Sequence, residues 1–415
     1  RMSRGLGDVY KRQDLDRMLN VKALKTFDQK NKTVLIRFDL NIPLNKEAST
    51  ISDRITRIKN PIQNLLNKNN KVVILSHLGR PKGKRNDELS LNQIISSLEN
   101  VLKKKIIFLS NCIGDEIEKK INSLSQDSII LLENCRFHEG EEQNDKFFAS
   151  ELSKLADVYI NDAFACSHRA HASIEAITNF IPSYCGELLH EEILNLNDVV
   201  NNPKTPALTI IGGSKISTKI TVIKNLLQKM DSIVIAGGMA NNFLKYLGND
   251  VKNSLIENDV DHLVKEIINF ANEQKCKLIL PLDVVTAEKV SETTEINECA
   301  VDAVKDNQMI LDIGKQTIEL IKNEISNCET VFWNGPVGVF ETKPFHKGTF
   351  EIAKFIAEIT DKNSLRSFAG GGDTISALDM AAVKDKFSYV STGGGALLEL
   401  IEGKKLPGLV ALGAL

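Results

Sequence analysis

The stretch Ala207-Leu-Thr-Ile-Ile-Gly-Gly-Ser-Lys215 decides the fold. Its first five residues are a nearly unbroken apolar run, as expected for a parallel strand covered on both faces. A double glycine ends the run, and apolar residues at helical spacing follow from Ile220 to Leu227. Glycine tolerates the tight corner between strand and helix. It also lets backbone N–H groups at the helix start close on a phosphate.

The same unit recurs along the chain. Ile233–Ala236 runs into Gly237-Gly238, and Lys277–Leu280, Thr330–Trp333 and Phe387–Ser391 are further strand-length runs. Two more turns read Gly370-Gly371-Gly372-Asp373-Thr374 and Thr392-Gly393-Gly394-Gly395. Before residue 170 the strand-like runs are Thr33–Asp39, Lys71–Ser76, Ile129–Glu133 and Val158–Asn161, separated by helix-period segments. Strand–helix alternation in both halves predicts an α/β protein with two doubly wound, Rossmann-like parallel-sheet domains. Leu188, Leu189, Ile193, Leu194 and Val199 predict a connecting helix, stopped by Asn201-Asn202-Pro203. The expected order is an extension over 1–17, with Met18 as an alternative start, and a first domain over 18–185. An interdomain helix over 186–202, a second domain over 203–395 and a segment over 396–415 returning to the first domain complete it.

Composition narrows the function classes. With 415 residues, 42% hydrophobic and 26% charged, the chain is that of a globular protein of about two domains. A net charge of −2 without a long basic block does not favour nucleic acid. No apolar run reaches the roughly 18 residues a membrane helix needs. The 7 cysteines are scattered and never in a CxxC pair, which fits reduced thiols in the cytoplasm rather than zinc.

The two halves carry different chemistry. Asp39, Asn41, Arg54, His77, Arg80, Arg136, His168 and Arg169 all follow strand-like runs in the first half. Guanidinium groups converging on one sheet edge make an anion site, since their forks grip phosphate and carboxylate oxygens in pairs. His168 and His171 lie three apart, but no second ligand pair has metal spacing. In the second half, Ser217 or Thr218 is the expected N-cap of the helix that follows. Lys215 and Lys219 then sit at its positive end, where stability alone would not select cations and an incoming phosphate would. The alternative is two solvated surface lysines. Asp373 suits a Mg²⁺ held mostly by nucleotide phosphates, an N-cap, or both. Neither GxxxxGK[ST] nor GxGxxG occurs after a strand, so a Walker loop and a dehydrogenase fingerprint are both excluded.

Ordered motifs run through the chain from near residue 20 onward: Arg37-Phe-Asp-Leu-Asn-Ile-Pro43, Ser76-His-Leu-Gly-Arg-Pro81, Leu132-Glu-Asn-Cys-Arg-Phe-His138, Asn161-Asp-Ala-Phe164 and His168-Arg-Ala-His171. They continue as Gly212-Gly-Ser-Lys215, Pro281-Leu-Asp-Val-Val-Thr-Ala-Glu-Lys289, Trp333-Asn-Gly-Pro-Val-Gly-Val-Phe-Glu341, Gly370-Gly-Gly-Asp-Thr374 and Ser391-Thr-Gly-Gly-Gly-Ala-Leu-Leu-Glu399. With these motifs the chain resembles the phosphoglycerate kinase family. The resemblance implies reversible, Mg²⁺-dependent phosphoryl transfer between 1,3-bisphosphoglycerate and ADP, giving 3-phosphoglycerate and ATP. By position, Asp39, Asn41, Arg54, His77, Arg80, Arg136 and Arg169 would hold the glycerate. Gly212, Lys219, Asn334, Glu341, Gly371, Gly372, Asp373 and Thr374 would hold the nucleotide, with Asp373 on the metal. Arg54, Lys215 and the amides at Gly372 and Gly395 would flank the travelling phosphoryl group.

Three departures stand out. Ala165-Cys166-Ser167 replaces the family's Gly-Thr-Ala, and Lys215 is followed by Ile-Ser-Thr without an Asp before the second lysine. Pro61 comes one residue late after Arg54, which makes Arg57 a rival for the catalytic arginine. Both possible acceptors are already anionic near neutrality, so no general base is expected. The reading is of a cytoplasmic monomer acting on small molecules, with a hinge that excludes water when both substrates are bound. The alternatives are another two-domain phosphotransferase and a non-catalytic nucleotide-binding protein that kept the fold.

Overall fold

The computed structural model of the chain describes residues 24–42, 53–362 and 364–414. The expected extension over 1–17 lies outside them. The chain divides into two compact units, one ending at Leu194 and resuming at Lys404, the other spanning Asn195–Gly403.

The first unit holds a parallel sheet of six strands: β1 (Thr33–Phe38), β2 (Lys71–Leu75), β3 (Ile106–Leu109), β4 (Ile129–Leu132), β5 (Val158–Asp162) and β6 (Ser183–Cys185). Their order across the sheet is β3-β4-β2-β1-β5-β6. Val34 pairs with both Val72 and Val158, which fixes the register at the centre. The period of two sends Val34, Ile36 and Phe38 into one apolar layer and Leu35 into the other. Burial on both faces is the reason the strands read as continuous apolar runs.

The second unit has β7 (Ala207–Ile211), β8 (Ser232–Ile235) and β9 (Lys277–Ile279). It continues with β10 (Asp283–Ala287), β11 (Asn297–Ala300), β12 (Met309–Ile313), β13 (Thr330–Asn334), β14 (Arg366–Gly370) and β15 (Tyr389–Ser391). Six of them form a parallel sheet in the order β15-β14-β13-β7-β8-β9, while β11-β10-β12 form a separate sheet paired antiparallel. The strand runs do not reveal that second sheet, whose β11 alternates half-buried and exposed residues. Leu208, Ile210, Val331 and Trp333 lie in one buried layer of the parallel sheet. Burying each such side chain contributes about 1.5–3 kcal/mol.

The predicted connecting helix is present as Glu187–Leu196 and widens into a π-type turn over Asn197–Asn201. The division between units falls inside this helix. The return to the first unit comes at Lys404 rather than at Ala396. Helix Gly395–Ile401 belongs to the second unit, where Ala396, Leu397, Leu400 and Ile401 are buried and Asn225 Nδ2 donates to the Ile401 carbonyl at 3.0 Å. The next helix, Pro407–Ala411, docks on the first unit through Gly408 N–H to the Ser167 carbonyl at 2.9 Å. A Cβ at Gly408 would lie 2.8 Å from an Ile174 methyl, so only glycine permits this approach.

Among the described residues, no helix is long and apolar enough to cross a membrane. All seven cysteines are free thiols.

Candidate active site

In open parallel sheets, ligands collect outside the carboxyl ends of the strands, where the winding direction reverses. In the first unit the reversal lies between β1 and β5. Asp39 and Asn41 follow β1, Ser76 and His77 follow β2, and the loop carrying Cys166 and Arg169 follows β5. Arg54 donates to Asp39 at 2.8 Å and to the Asn41 carbonyl at 2.8 Å. Arg57 turns instead to Glu191 at 3.4 Å. Of the two rivals, Arg54 is therefore the one at the sheet edge.

Asn41 Oδ1 accepts from Gly79 N–H at 2.8 Å, joining the β1 and β2 loops. Arg136 donates to the Gly79 carbonyl at 3.0 Å and lies 3.4 Å from Glu142. Arg169 donates to His168 Nε2 at 3.1 Å. Arg80 is exposed, and neither it nor Arg169 meets a carboxylate among the described residues.

Arg37, quoted within a motif but given no role, is wholly buried beneath this cup, with Nη2 2.9 Å from His77 Nδ1. Burial, and then Arg37, Arg136 and Arg54, hold the His77 imidazole well below its ordinary value, so the ring is neutral. Asp39, His77 and Cys166 place three possible metal-ligand atoms within 4.8 Å of one another. Arg54 already occupies Asp39 and Arg37 already occupies His77. Burial also pushes the Cys166 thiol up to about 11. A cup so furnished with cations suits an anion better than a metal.

In the second unit the reversal lies between β7 and β13, where Gly212 meets Gly335. A Cβ on Gly212 would come within 1.9 Å of the Pro336 carbonyl oxygen, and Gly335 has φ of 100°. The glycines thus allow two backbones to touch at the strand ends, forming a floor. Lys219 lies on it, donating to the Gly212 carbonyl at 2.7 Å and to Asn334 Oδ1 at 2.9 Å. Both acceptors are neutral. Burial draws the Lys219 ammonium down to about 8, opposed by the Asp373 carboxylate. Asn334 also donates to the Gly370 carbonyl at 2.8 Å, and Thr374 accepts from Gly335 N–H at 2.7 Å. These two side chains tie β13, β14 and the following helix together.

Neither predicted N-cap holds the helix after β7. That helix begins at Ile220, because Ser217 is taken by Glu257 and Thr218 donates to the Lys215 carbonyl at 3.1 Å. Lys215 is exposed just before it. Asp373 does not cap its helix either, since Gly371 occupies that position with φ of 98°. The Asp373 carboxylate is exposed and takes no hydrogen bond among the described residues. One hard, unshared carboxylate beside a glycine-lined backbone floor fits a Mg²⁺ that takes most of its ligands from phosphates and water. The amides of Gly372, Asp373 and Gly395 open helices, where N–H groups have no intrahelical partner.

Beside the floor opens a cavity of about 370 Å³, within the usual range of small-molecule sites. Leu255, Pro281, Val284, Met309, Leu311 and Val337 form much of its wall, with Glu341 and Asp373 also on the lining. Nothing in the linear sequence marks these apolar residues as a wall. Pro281 and Val284 sit inside a quoted motif, but only the antiparallel excursion of β10 and β12 brings them to one wall.

The phosphoglycerate kinase family model matches residues 24–404. The chain belongs to the phosphoglycerate kinase family. It is 43% identical over 395 residues to the phosphoglycerate kinase of Wolbachia sp. subsp. Drosophila simulans (strain wRi), covering 95% of this chain and 99% of that one. It is 45% identical over 385 residues to that of Chelativorans sp. (strain BNC1), covering 93% and 97%. Among solved structures, phosphoglycerate kinase from Coxiella burnetii superposes with a TM-score of 0.85 at 38% identity, covering 93% of this chain and 97% of that one. The Pyrococcus horikoshii OT3 enzyme gives 0.75 at 29% identity, with the same coverage. The two parallel-sheet units are therefore the fold of this family.

Proposed function

We propose that the chain catalyses reversible transfer of a phosphoryl group between 1,3-bisphosphoglycerate and ADP, yielding 3-phosphoglycerate and ATP. The carrying observation is the surplus of guanidinium groups at one sheet edge, where Arg80 and Arg169 meet no carboxylate among the described residues while His77 stays neutral. Such a surplus suits an anion with more than one negative charge, whose oxygens guanidinium forks grip in pairs. A three-carbon acid phosphate meets that need, with Asp39, Asn41, Arg54, His77, Arg80, Arg136 and Arg169 as its contacts.

The cavity of the second unit takes the base of the nucleotide, with Glu341 at its rim for the sugar hydroxyls. Gly212, Lys219, Asn334 and Gly371 to Thr374 form the phosphate floor. Bound to nucleotide, Mg²⁺ would neutralise phosphate charge, and Asp373 is the residue that would hold it. Arg54 and Lys215 bring positive charge to the equatorial oxygens of the travelling group, joined by the amides of Gly372 and Gly395. The acceptor oxygen is anionic in either direction. The protein therefore supplies alignment and charge neutralisation and removes no proton.

Water competes as acceptor. Closure about residues 186–202 and near Gly393–Ala396, once both substrates are held, excludes it. The chain acts as a cytoplasmic monomer on these small molecules. A coupled assay with 3-phosphoglycerate, Mg²⁺ and ATP tests the reading, because 1,3-bisphosphoglycerate must form. ATP binding without any turnover of 3-phosphoglycerate would favour a non-catalytic relative.

A further inference from the structure

We propose that Arg37 is a positioning residue that locks His77 in a single neutral tautomer, its Nε2–H presented to the anionic substrate and its Nδ1 spent inside the protein. The inference rests on the reading of the first unit as the glycerate site.

Arg37 lies on β1 and is 0% exposed. Its guanidinium is satisfied on every side: Nε donates to Ser173 Oγ at 3.0 Å, and Nη1 donates to the Phe38 carbonyl and to Ser76 Oγ at 3.4 Å. The remaining nitrogen, Nη2, lies 2.9 Å from His77 Nδ1. A guanidinium has only donors and keeps its charge at any ordinary pH. Nδ1 must therefore be the acceptor and bear no proton, which leaves the proton of the neutral ring on Nε2.

The charges facing the ring point the same way. Arg37, Arg136 and Arg54 oppose an imidazolium, His171 is itself neutral because burial holds it down to about 3, and Asp39 is already engaged by Arg54. Cys166 Sγ, 4.0 Å from Nδ1, is a neutral thiol. The opposite tautomer would set N–H against N–H at Arg37 and turn a lone pair toward the substrate's anionic oxygens.

Arg37 is held in turn from behind. Ser173 Oγ accepts from it and donates to Glu141 Oε1 at 2.6 Å, while Ser173 N–H donates to Glu141 Oε2 at 2.9 Å. Glu141 is wholly buried and supplies the counter-charge. The chain Glu141–Ser173–Arg37–His77 thus runs with every donor and acceptor assigned. Its consequence is a substrate contact that does not titrate near neutrality, where a free imidazole would.

Long-range ¹H–¹⁵N spectra of the full-length protein read the tautomer directly, with the His77 signal identified by its loss in His77→Gln. At pH 7 and at pH 6 the expected pattern is a protonated Nε2 and a bare Nδ1. A protonated Nδ1, or an imidazolium at pH 7, overturns the proposal. In the coupled assay, Arg37→Met should raise KM for 3-phosphoglycerate about tenfold at pH 8 relative to wild type. The KM ratio to wild type should also gain an inflection near the ordinary histidine value of about 6.5. Arg37→Lys should remove most of that inflection. A KM ratio without the new inflection would mean that Arg37 only supports the fold, and would also overturn the proposal. If Arg37→Met does not fold, Ser173→Ala, which loosens Arg37 without removing a charge, carries the kinetic test. The expected tautomer in a protein that never turns over 3-phosphoglycerate would instead defeat the proposed function and leave the tautomer assignment standing.

Discussion

Replacing Arg54 by alanine separates catalysis from folding. The guanidinium spans Asp39 and the Asn41 carbonyl, each at 2.8 Å, and its side chain keeps 30% exposure. A pair this open to solvent contributes about 0–1 kcal/mol to stability, so the melting temperature should fall by no more than about 4 °C. A cation aimed at charge that develops in the transition state is worth far more. Losing about 3–5 kcal/mol there lowers turnover roughly 10²- to 10⁴-fold. The substitution also leaves Asp39 without its cation beside an anionic substrate, which should raise KM for 3-phosphoglycerate in the same direction. Arg54→Lys keeps the charge but not the fork and should recover only part of the loss. Arg57, paired with Glu191 at 3.4 Å, is the control, and Arg57→Ala should stay within a factor of a few of wild type. The assay is steady-state coupled turnover with 3-phosphoglycerate and ATP, beside a thermal melt of each variant. Near-normal turnover of Arg54→Ala together with an inactive Arg57→Ala would refute the reasoning.

Lys219, drawn down to about 8 between two neutral acceptors, should take up a proton when nucleotide phosphate arrives. Its contribution is present below pH 8 and fades as pH rises through it, so ADP affinity should fall roughly tenfold between pH 7 and pH 9. Calorimetry in buffers of different ionisation heat measures this. A flat profile, or one that persists in Lys219→Arg, contradicts the assignment. Asp373→Asn should raise the Mg²⁺ concentration for half-maximal turnover about tenfold or more while leaving the melting temperature unchanged, since the carboxylate does not cap its helix. An unchanged Mg²⁺ titration would move the metal contact elsewhere. Small-angle scattering should show a smaller radius of gyration with both substrates than with either alone, and no compaction would count against closure.

Much of this architecture is legible in the sequence because parallel strands buried on both faces leave uninterrupted apolar runs. Ala207–Ile211 emerges with the boundaries expected, and Val158–Asn161 gains one residue. Short strands escape such a reading. Ile106–Leu109 has four residues beside three consecutive lysines, and Ser183–Cys185 has three at a sheet edge. The antiparallel excursion escapes too, and with it the apolar wall of the cavity.

At the site, residue type announced charge and glycine announced close backbone approach, but partnership is a property of three-dimensional placement. Spacing from Pro61 left Arg54 and Arg57 as rivals, and only the fold shows that Arg54 meets Asp39 while Arg57 meets Glu191. Arg37 stood in a quoted motif without a role, because nothing in a linear chain shows that its fork ends on the imidazole of His77. The helix start at Ile220 is hidden from the sequence for a similar reason, since Ser217 is claimed by Glu257, 40 residues away.

The most direct test of the central claim is a crystal structure with 3-phosphoglycerate and a Mg-nucleotide bound together. The glycerate should lie against His77, Arg80, Arg136 and Arg169 in the first unit. The base should fill the cavity walled by Leu255, Val284 and Leu311 in the second, with its phosphates over Gly212 and Gly372. Both ligands in one unit, or an arginine cup left empty at saturating 3-phosphoglycerate, would contradict it.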